Sequence, residues 1–331
     1  MRVLFIGGSG VISSACSWLA AESGIELFVF NRGLSVDRPL PAAATVLCGD
    51  IRDPRSVREV LGGREFDAVV NWVAYTPGHI QADIGFFAGR TGQYVFISSA
   101  SAYQTPPARV PIVESTPLRN PFLRYSRDKI ACEELLRAAY RDDGFPATIV
   151  RPSHTYDKTL VPFEGGWTVL GRMRQGKPVV VHGDGTSRWT LTHHRDFAAG
   201  FVPLLGHSRT VGDVFHITSD DVLTWDQIAL ALADAAGTRA DIVHVPSDVI
   251  AAADPEWGAS LLGDKSHSLV FDNSKLRGVV PGYRAVIPFE RGAREIVGWY
   301  DEDPARQRPD ARVDALMDRL TESYRPARTE P

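Results

Sequence analysis

This sequence predicts a doubly wound α/β fold, in which helices cover both faces of a parallel sheet and a smaller α/β substrate domain follows. Three observations carry that reading. Short apolar runs alternate with helical stretches through the first half, a glycine-rich turn directly follows the first run, and the alternation loosens after Arg151-Pro152. Parallel strands are buried on both faces, so they read as nearly continuous apolar runs.

The predicted strands are residues 3–6, 27–30, 45–47, 68–71, 94–98 and 147–150. Helical stretches lie between them at 12–21, 54–61 and 126–140, and the βαβα order demands right-handed crossovers. Residues 1–156 are assigned to the first domain, with its sheet completed by parts of 189–220. Residues 157–331 form most of the second, punctuated by Gly165-Gly166, Gly176-Lys177-Pro178 and Gly183-Asp184-Gly185. Near its end Val313, Leu316, Met317 and Leu320 share one helix face. The polar residues 321–331 behind them are expected to fray.

Composition narrows the function classes. With 331 residues, 44% of them apolar, the chain can bury one large core or two modest ones. The net charge is only -4 and the basic residues are interspersed with acids, which argues against nucleic acid and for a small-molecule partner. Cys16, Cys48 and Cys132 lie far apart without CxxC spacing, so neither a disulfide framework nor a zinc site is indicated. No stretch approaches the roughly 18 apolar residues of a membrane span, and a cytoplasmic protein is expected.

The turn Gly7-Gly8-Ser9-Gly10-Val11-Ile12 runs from the first strand into a helix. Small residues there let a backbone approach a pyrophosphate while the helix N-terminus offers free N–H donors. Ser13 occupies the usual third glycine position, so either the first helix sits slightly further from the sheet or the Ser13 hydroxyl packs against a backbone carbonyl. Where an acid normally grips the ribose of NAD, the second strand ends in Asn31-Arg32-Gly33. Asn31 still suits a ribose and Arg32 suits a 2'-phosphate, so NADP is favoured and NAD stays open. Asp50 and Ile51 follow the third strand, positioned either for an adenine or as a helix N-cap before Pro54.

Tyr125 and Lys129 are four residues apart and share one helix face. A cation beside a phenol lowers its pKa towards the range where it exchanges protons with a substrate hydroxyl. Ser99 ends the fifth strand, where its hydroxyl can donate to a substrate oxygen as charge develops. His154 opens the cleft after Arg151-Pro152, and Lys158, Trp167 and Trp189 are further cleft candidates, core packing being the stronger reading for the tryptophans. His182, His193, His194 and His216 read as packing residues without acid partners, not as metal ligands.

On these residues the chain resembles the extended short-chain dehydrogenases/reductases, the NAD-dependent epimerase/dehydratase family. The likeness rests on the Gly7/Gly10 loop, Asp50, Ser98-Ser99 with Tyr103, Glu114-Ser115-Thr116-Pro117, Tyr125/Lys129, Arg151-Pro152 with Tyr156, and Asp272-Asn273-Ser274-Lys275. It implies a Rossmann-like fold, Ser99 as substrate-polarising hydroxyl, Tyr125 as acid-base, and Lys129 as ribose ligand and pKa-lowering cation. The cofactor set is Gly7, Ser9, Gly10, Val11, Ile12, Asn31, Arg32, Asp50, Ile51, Asn71, Ala74, Tyr125, Lys129, Pro152 and His154. The substrate set is Ser99, Ser101, His154 and Trp189, with no metal.

The branch is similar to the chloroplast stem-loop-binding proteins, and a dimer through two helices of the first domain is implied. Trp189 stands in register with the arginine that holds a diphosphate in many nucleotide-sugar enzymes, which puts a diphosphate ligand in doubt. Ala100 and Ser101 stand where dehydratases carry acids. The expected activity is oxidation, reduction or epimerisation at a hydroxyl or ketone of a sugar-like substrate, free or nucleotide-linked, or of a secondary metabolite, NADPH-driven ketone reduction using the same residues. A non-catalytic RNA-binding or regulatory role draws only on the branch resemblance.

Overall fold

A computed structural model describes residues 1–33 and 38–325. The first half contains β1 (Arg2–Ile6), α1 (Val11–Glu22), β2 (Glu26–Asn31), β3 (Thr45–Cys48), α2 (Pro54–Leu61), β4 (Ala68–Asn71), α3 (Pro77–Phe87), β5 (Tyr94–Ile97), α4 (Arg124–Asp143) and β6 (Ala147–Pro152). The second contains β7 (His154–Tyr156), α5 (Trp167–Arg174), β8 (Val179–His182), β9 (Arg188–Trp189), β10 (Leu191–His193), α6 (His194–Phe201), β11 (Val214–Ile217) and β12 (Leu223–Thr224). It closes with α7 (Trp225–Ala235), β13 (Ile242–Val245), α8 (Ser247–Ala253), α9 (Pro255–Ser260), α10 (Ser274–Val279), α11 (Phe289–Asp301) and α12 (Ala311–Tyr324).

A seven-stranded sheet in the order β11-β6-β5-β4-β1-β2-β3 organises the molecule. Every pairing in it is parallel, and Val3 to Ile6 of β1 are fully buried, as two covered faces require. On one face Cys16 and Ala20 of α1 and Phe197 and Phe201 of α6 pack against Val3, Phe5, Val29 and Val70. On the other, Val57 and Leu61 of α2, Ile80 and Phe87 of α3, and Cys132 and Leu136 of α4 cover Leu4, Ile6 and Phe96. The strand order reverses between β1 and β4, which opens a crevice at their carboxyl ends.

A third core gathers residues of α5, α7, α11 and α12 around the parallel pair β8 and β13. Val313, Leu316, Met317 and Leu320 are all buried in it. Fraying was expected from Thr321, yet Thr321 is itself buried and the helix continues to Tyr324, while 326–331 lie outside the described residues. No described helix is long and apolar enough to cross a membrane.

Candidate active site

The glycine turn after β1 is built as its sequence demands. Gly7 and Gly8 have φ of +96° and +129°, which side chains disfavour, and a Cβ on Gly8 would lie 2.9 Å from Val29. Helix α1 starts at extended Gly10, whose N–H donates to the Ser13 hydroxyl at 2.8 Å. Ser13 therefore accepts from the turn instead of donating to a carbonyl, because an unpaired helix-start N–H lies within its reach.

From this turn a cleft of about 760 Å³ extends along the carboxyl ends of the strands. Its walls include Gly7, Ser9, Gly10, Val11, Ile12, Asn31, Arg32, Asp50, Ile51, Pro152, Tyr125 and Lys129. A cradle without side chains at one end and a phenol and ammonium at the other fit a dinucleotide. Asn31 uses its carbonyl oxygen to accept the Gly33 N–H at 2.9 Å, and Arg32 beside it is exposed. Asp50 is not the cap of α2: Asp53 is, accepting the Arg55 N–H at 2.9 Å, and Asp50 remains on the cleft wall.

Lys129 is 2% exposed and donates to the Ala74 and Ile97 carbonyls, each at 2.7 Å. These bonds hold its Nζ 5.5 Å from the centre of the Tyr125 ring. Burial lowers the ammonium pKa to about 8. Tyr125 keeps 44% of its surface exposed along the cleft, yet burial of its hydroxyl raises the phenol to about 12, and a hydrogen bond with Ser99 only partly offsets this. The expected downward shift from Lys129 does not emerge in the free protein: desolvation dominates, Tyr75 adds to it, and the ammonium is turned towards two carbonyls.

Ser99 lies in a chain of hydroxyls, 2.9 Å from Ser101, which is 2.7 Å from buried Ser126 of α4. Beneath it, Ser98 donates to Glu133 of α4 at 2.6 Å. Glu133 also grips Arg151 of β6 at 2.9 and 2.5 Å, and neither side chain is exposed to solvent. Arg151 continues to the Glu114 carbonyl at 3.1 Å and lies over the Tyr103 ring, whose hydroxyl meets His216 at 3.0 Å. This network locks α4, and with it Tyr125, against β5, β6 and β11.

A second cavity of about 460 Å³ adjoins the first, and Ile12, Tyr125 and Pro152 line both. Ser99, Ser101, His154 and Trp189 line it, as do Asp264 and Lys265. Trp189 points inward, its indole N–H donating to His154 Nδ1 at 3.1 Å, while Arg188 is exposed. The local strand is regular, so Arg188 does not replace the missing arginine. His154 is pushed down to about 3 by burial and stays neutral.

Some expected residues sit elsewhere. Asn71 is buried, donating to Asp83 at 2.5 Å, and Ala74 contributes its carbonyl to Lys129 behind the wall; neither lines the cleft. His154 lines the second cavity and not the first. Lys158 is exposed away from both cavities, and Trp167 is core, its ring 4.8 Å from that of Tyr300. Two histidines do have acid neighbours, His193 with Glu295 at 3.1 Å and His216 with Glu114 at 3.8 Å. The sequence reading missed Tyr75 and His79 of the first cavity and Asp264 and Lys265 of the second. Tyr75 was legible as the end of the segment after β4; Asp264 and Lys265 carry no motif.

Residues 86–218 match the profile of the NAD dependent epimerase/dehydratase family. The 2'-dehydrokanamycin reductase of Streptomyces kanamyceticus is 28% identical over 86% of this chain and 80% of its own length. Over residues 86–218 the chain is similar to the NAD dependent epimerase/dehydratase family. The chain is also similar to the chloroplast stem-loop binding protein of 41 kDa b from Arabidopsis thaliana, 25% identical over 73% of this chain and 65% of that one. The fold matches an epimerase from Methanothermobacter thermautotrophicus with a TM-score of 0.76 at 16% identity, covering 92% and 94% of the two chains. It also matches an NAD complex of UDP-glucose 4-epimerase from Thermus thermophilus, with a TM-score of 0.70 at 21% identity over 91% and 99%.

Proposed function

We propose that this chain is an NADP-preferring oxidoreductase that acts at a ketone or carbinol of a sugar-like substrate without a diphosphate, with Tyr125 as its acid-base group. The observation that carries the reading is the meeting of the two cavities at Tyr125, with Lys129 behind the phenol and Ser99 on the substrate side. Residues from Gly7 to Ile12 and Asn31, Arg32, Asp50 and Ile51 would hold the dinucleotide, Arg32 being the charge suited to a 2'-phosphate.

When bound, the nicotinamide supplies or takes up a hydride at the substrate carbon. Ser99 donates a hydrogen bond to the substrate oxygen as negative charge grows there. Tyr125, protonated at neutral pH with its pKa near 12, gives its proton to the nascent alkoxide. Lys129 stabilises the phenolate left behind, and solvent along the half-exposed ring reprotonates it. That protonation state favours the reductive direction, and so does the relative named a 2'-dehydrokanamycin reductase, which spans most of the chain.

The test is ketone reduction by NADPH, followed by loss of the reduced-nicotinamide absorbance, with wild type and Tyr125→Phe on a panel of keto-hexosides. The variant is expected to lose at least about a hundredfold in turnover while holding NADP as tightly as before. Equal turnover in the two proteins would remove Tyr125 from the reaction.

A further inference from the structure

The second cavity holds a carboxyl that the redox reading does not use. Asp264 and Lys265 belong to a π-helical turn, Leu261–Lys265, which continues from α9. Such turns are rare and recur at functional sites. This one is fixed to the machinery around Tyr125. Asn120 donates one amide to both the Ser101 and Gly263 carbonyls, at 2.9 and 2.7 Å. Gly263 lies against Leu123, at the start of α4 two residues before Tyr125, so closely that a Cβ there would be 2.7 Å from the leucine. Asp264 is therefore held at a set position relative to the phenol and to Ser101.

Its carboxylate has no partner among the described residues: no hydrogen bond reaches it, and its one attractive neighbour is Lys265, acting through space beyond salt-bridge distance. Lys265 bonds to the Ser260 hydroxyl and also faces Glu164 across an adjoining cavity of about 160 Å³ that Asp264 does not line. His154, across the second cavity, is neutral. Asp264 is half-buried beside Trp189, Leu269 and the Ser260 hydroxyl, and burial pushes its carboxyl up to about 7, which Lys265 only partly offsets. A neutral hydroxyl placed against this carboxyl does nothing to favour its ionised form, whereas a cation placed there stabilises that form.

We propose that Asp264 selects a protonated amine on the substrate, making the substrate class an amino sugar or aminocyclitol whose ammonium pairs with Asp264 while its carbonyl or carbinol faces Ser99 and Tyr125. The proposal rests on the assignment of this cavity as the substrate site. Trp189 and the exposed Arg188 favour it as well, because they leave Lys265, already bonded to Ser260, as the one cation among the described residues lining the cavity, with no guanidinium fork for a phosphorylated substrate.

The test is calorimetric titration of the intact protein with NADP present. The probes are methyl aminodeoxyhexosides carrying one amine at different ring positions, each compared with its N-acetyl form and its parent hydroxyl compound. At least one amine should bind at least about tenfold more tightly than both neutral counterparts. Asp264→Asn should erase that preference while leaving NADP affinity and the circular dichroism spectrum unchanged, and Asp264→Glu should restore part of it. If no amine outranks its neutral counterparts, or if Asp264→Asn keeps the preference, the proposal is overturned. Because binding is read without turnover, these results are independent of whether Tyr125→Phe abolishes hydride transfer.

Discussion

Raising the pH through about 8 should switch off ketone reduction by removing the charge on Lys129, well before Tyr125 titrates. With a pKa of about 8 the ammonium is about 90% charged at pH 7 and about 10% at pH 9. Its Nζ lies 5.5 Å from the phenol ring that becomes negative in the reaction. At that distance, with an effective dielectric constant of about 20, one unit charge acting on another is worth about 3 kcal/mol, roughly a hundredfold in rate. The sign follows from the protonation states: protonated Lys129 stabilises the phenolate, so kcat/KM should be level below pH 7 and fall about tenfold per pH unit above 8. The fall ends when the full Lys129 contribution is gone. The assay is NADPH-driven reduction of a keto-hexoside between pH 6 and 10 in wild type and Lys129→Met. Because Lys129→Met also strips two buried carbonyls of their donor, the diagnostic feature is the shape of its profile, which should be level and low, and not its height. A wild-type profile that stays level to pH 10, or a Lys129→Met profile with the same bend near 8, would refute the reasoning.

Arg32→Ala should weaken NADP binding far more than NAD binding, measured by cofactor titration; equal losses would show that this exposed guanidinium does not read the 2'-phosphate. Glu133→Leu should destabilise the fold by about 3–5 kcal/mol in urea denaturation because it strands Arg151 in the core. The double variant Glu133→Leu/Arg151→Met should recover most of that loss, and a double variant as unstable as the sum of its singles would contradict the account.

The first half of the chain was legible where a strand had both faces covered or a helix had its own start signal. Residues 3–6 and 27–30, and 68–70 ahead of Asn71, read correctly because parallel burial makes them apolar throughout, and α2 was placed to the residue because Asp53 and Pro54 start it. Helix α3 escaped notice because Pro77, Gly78 and Gly85 mimic a loop and its apolar residues form no clear stripe. In the second half the strands are two to four residues long and β8 finds its partner β13 only after α7 has intervened, so local pattern carries little information there.

Sequence alone determined the parallel sheet, the glycine turn, the pairing of Tyr125 with Lys129 on one helix face and the position of Ser99 at a strand end, because each follows from periodicity or from backbone sterics between near neighbours. Tertiary structure decided which charges the cleft favours and which residues line the second cavity. The shift of Tyr125 upward and of Lys129 downward depends on which apolar groups and carbonyls the fold packs around them. The place of Asp264 beside the phenol depends on Gly263 docking against Leu123, a contact between segments far apart in the chain. Charge in a cleft is a property of its surroundings, and those are assembled only when the chain folds.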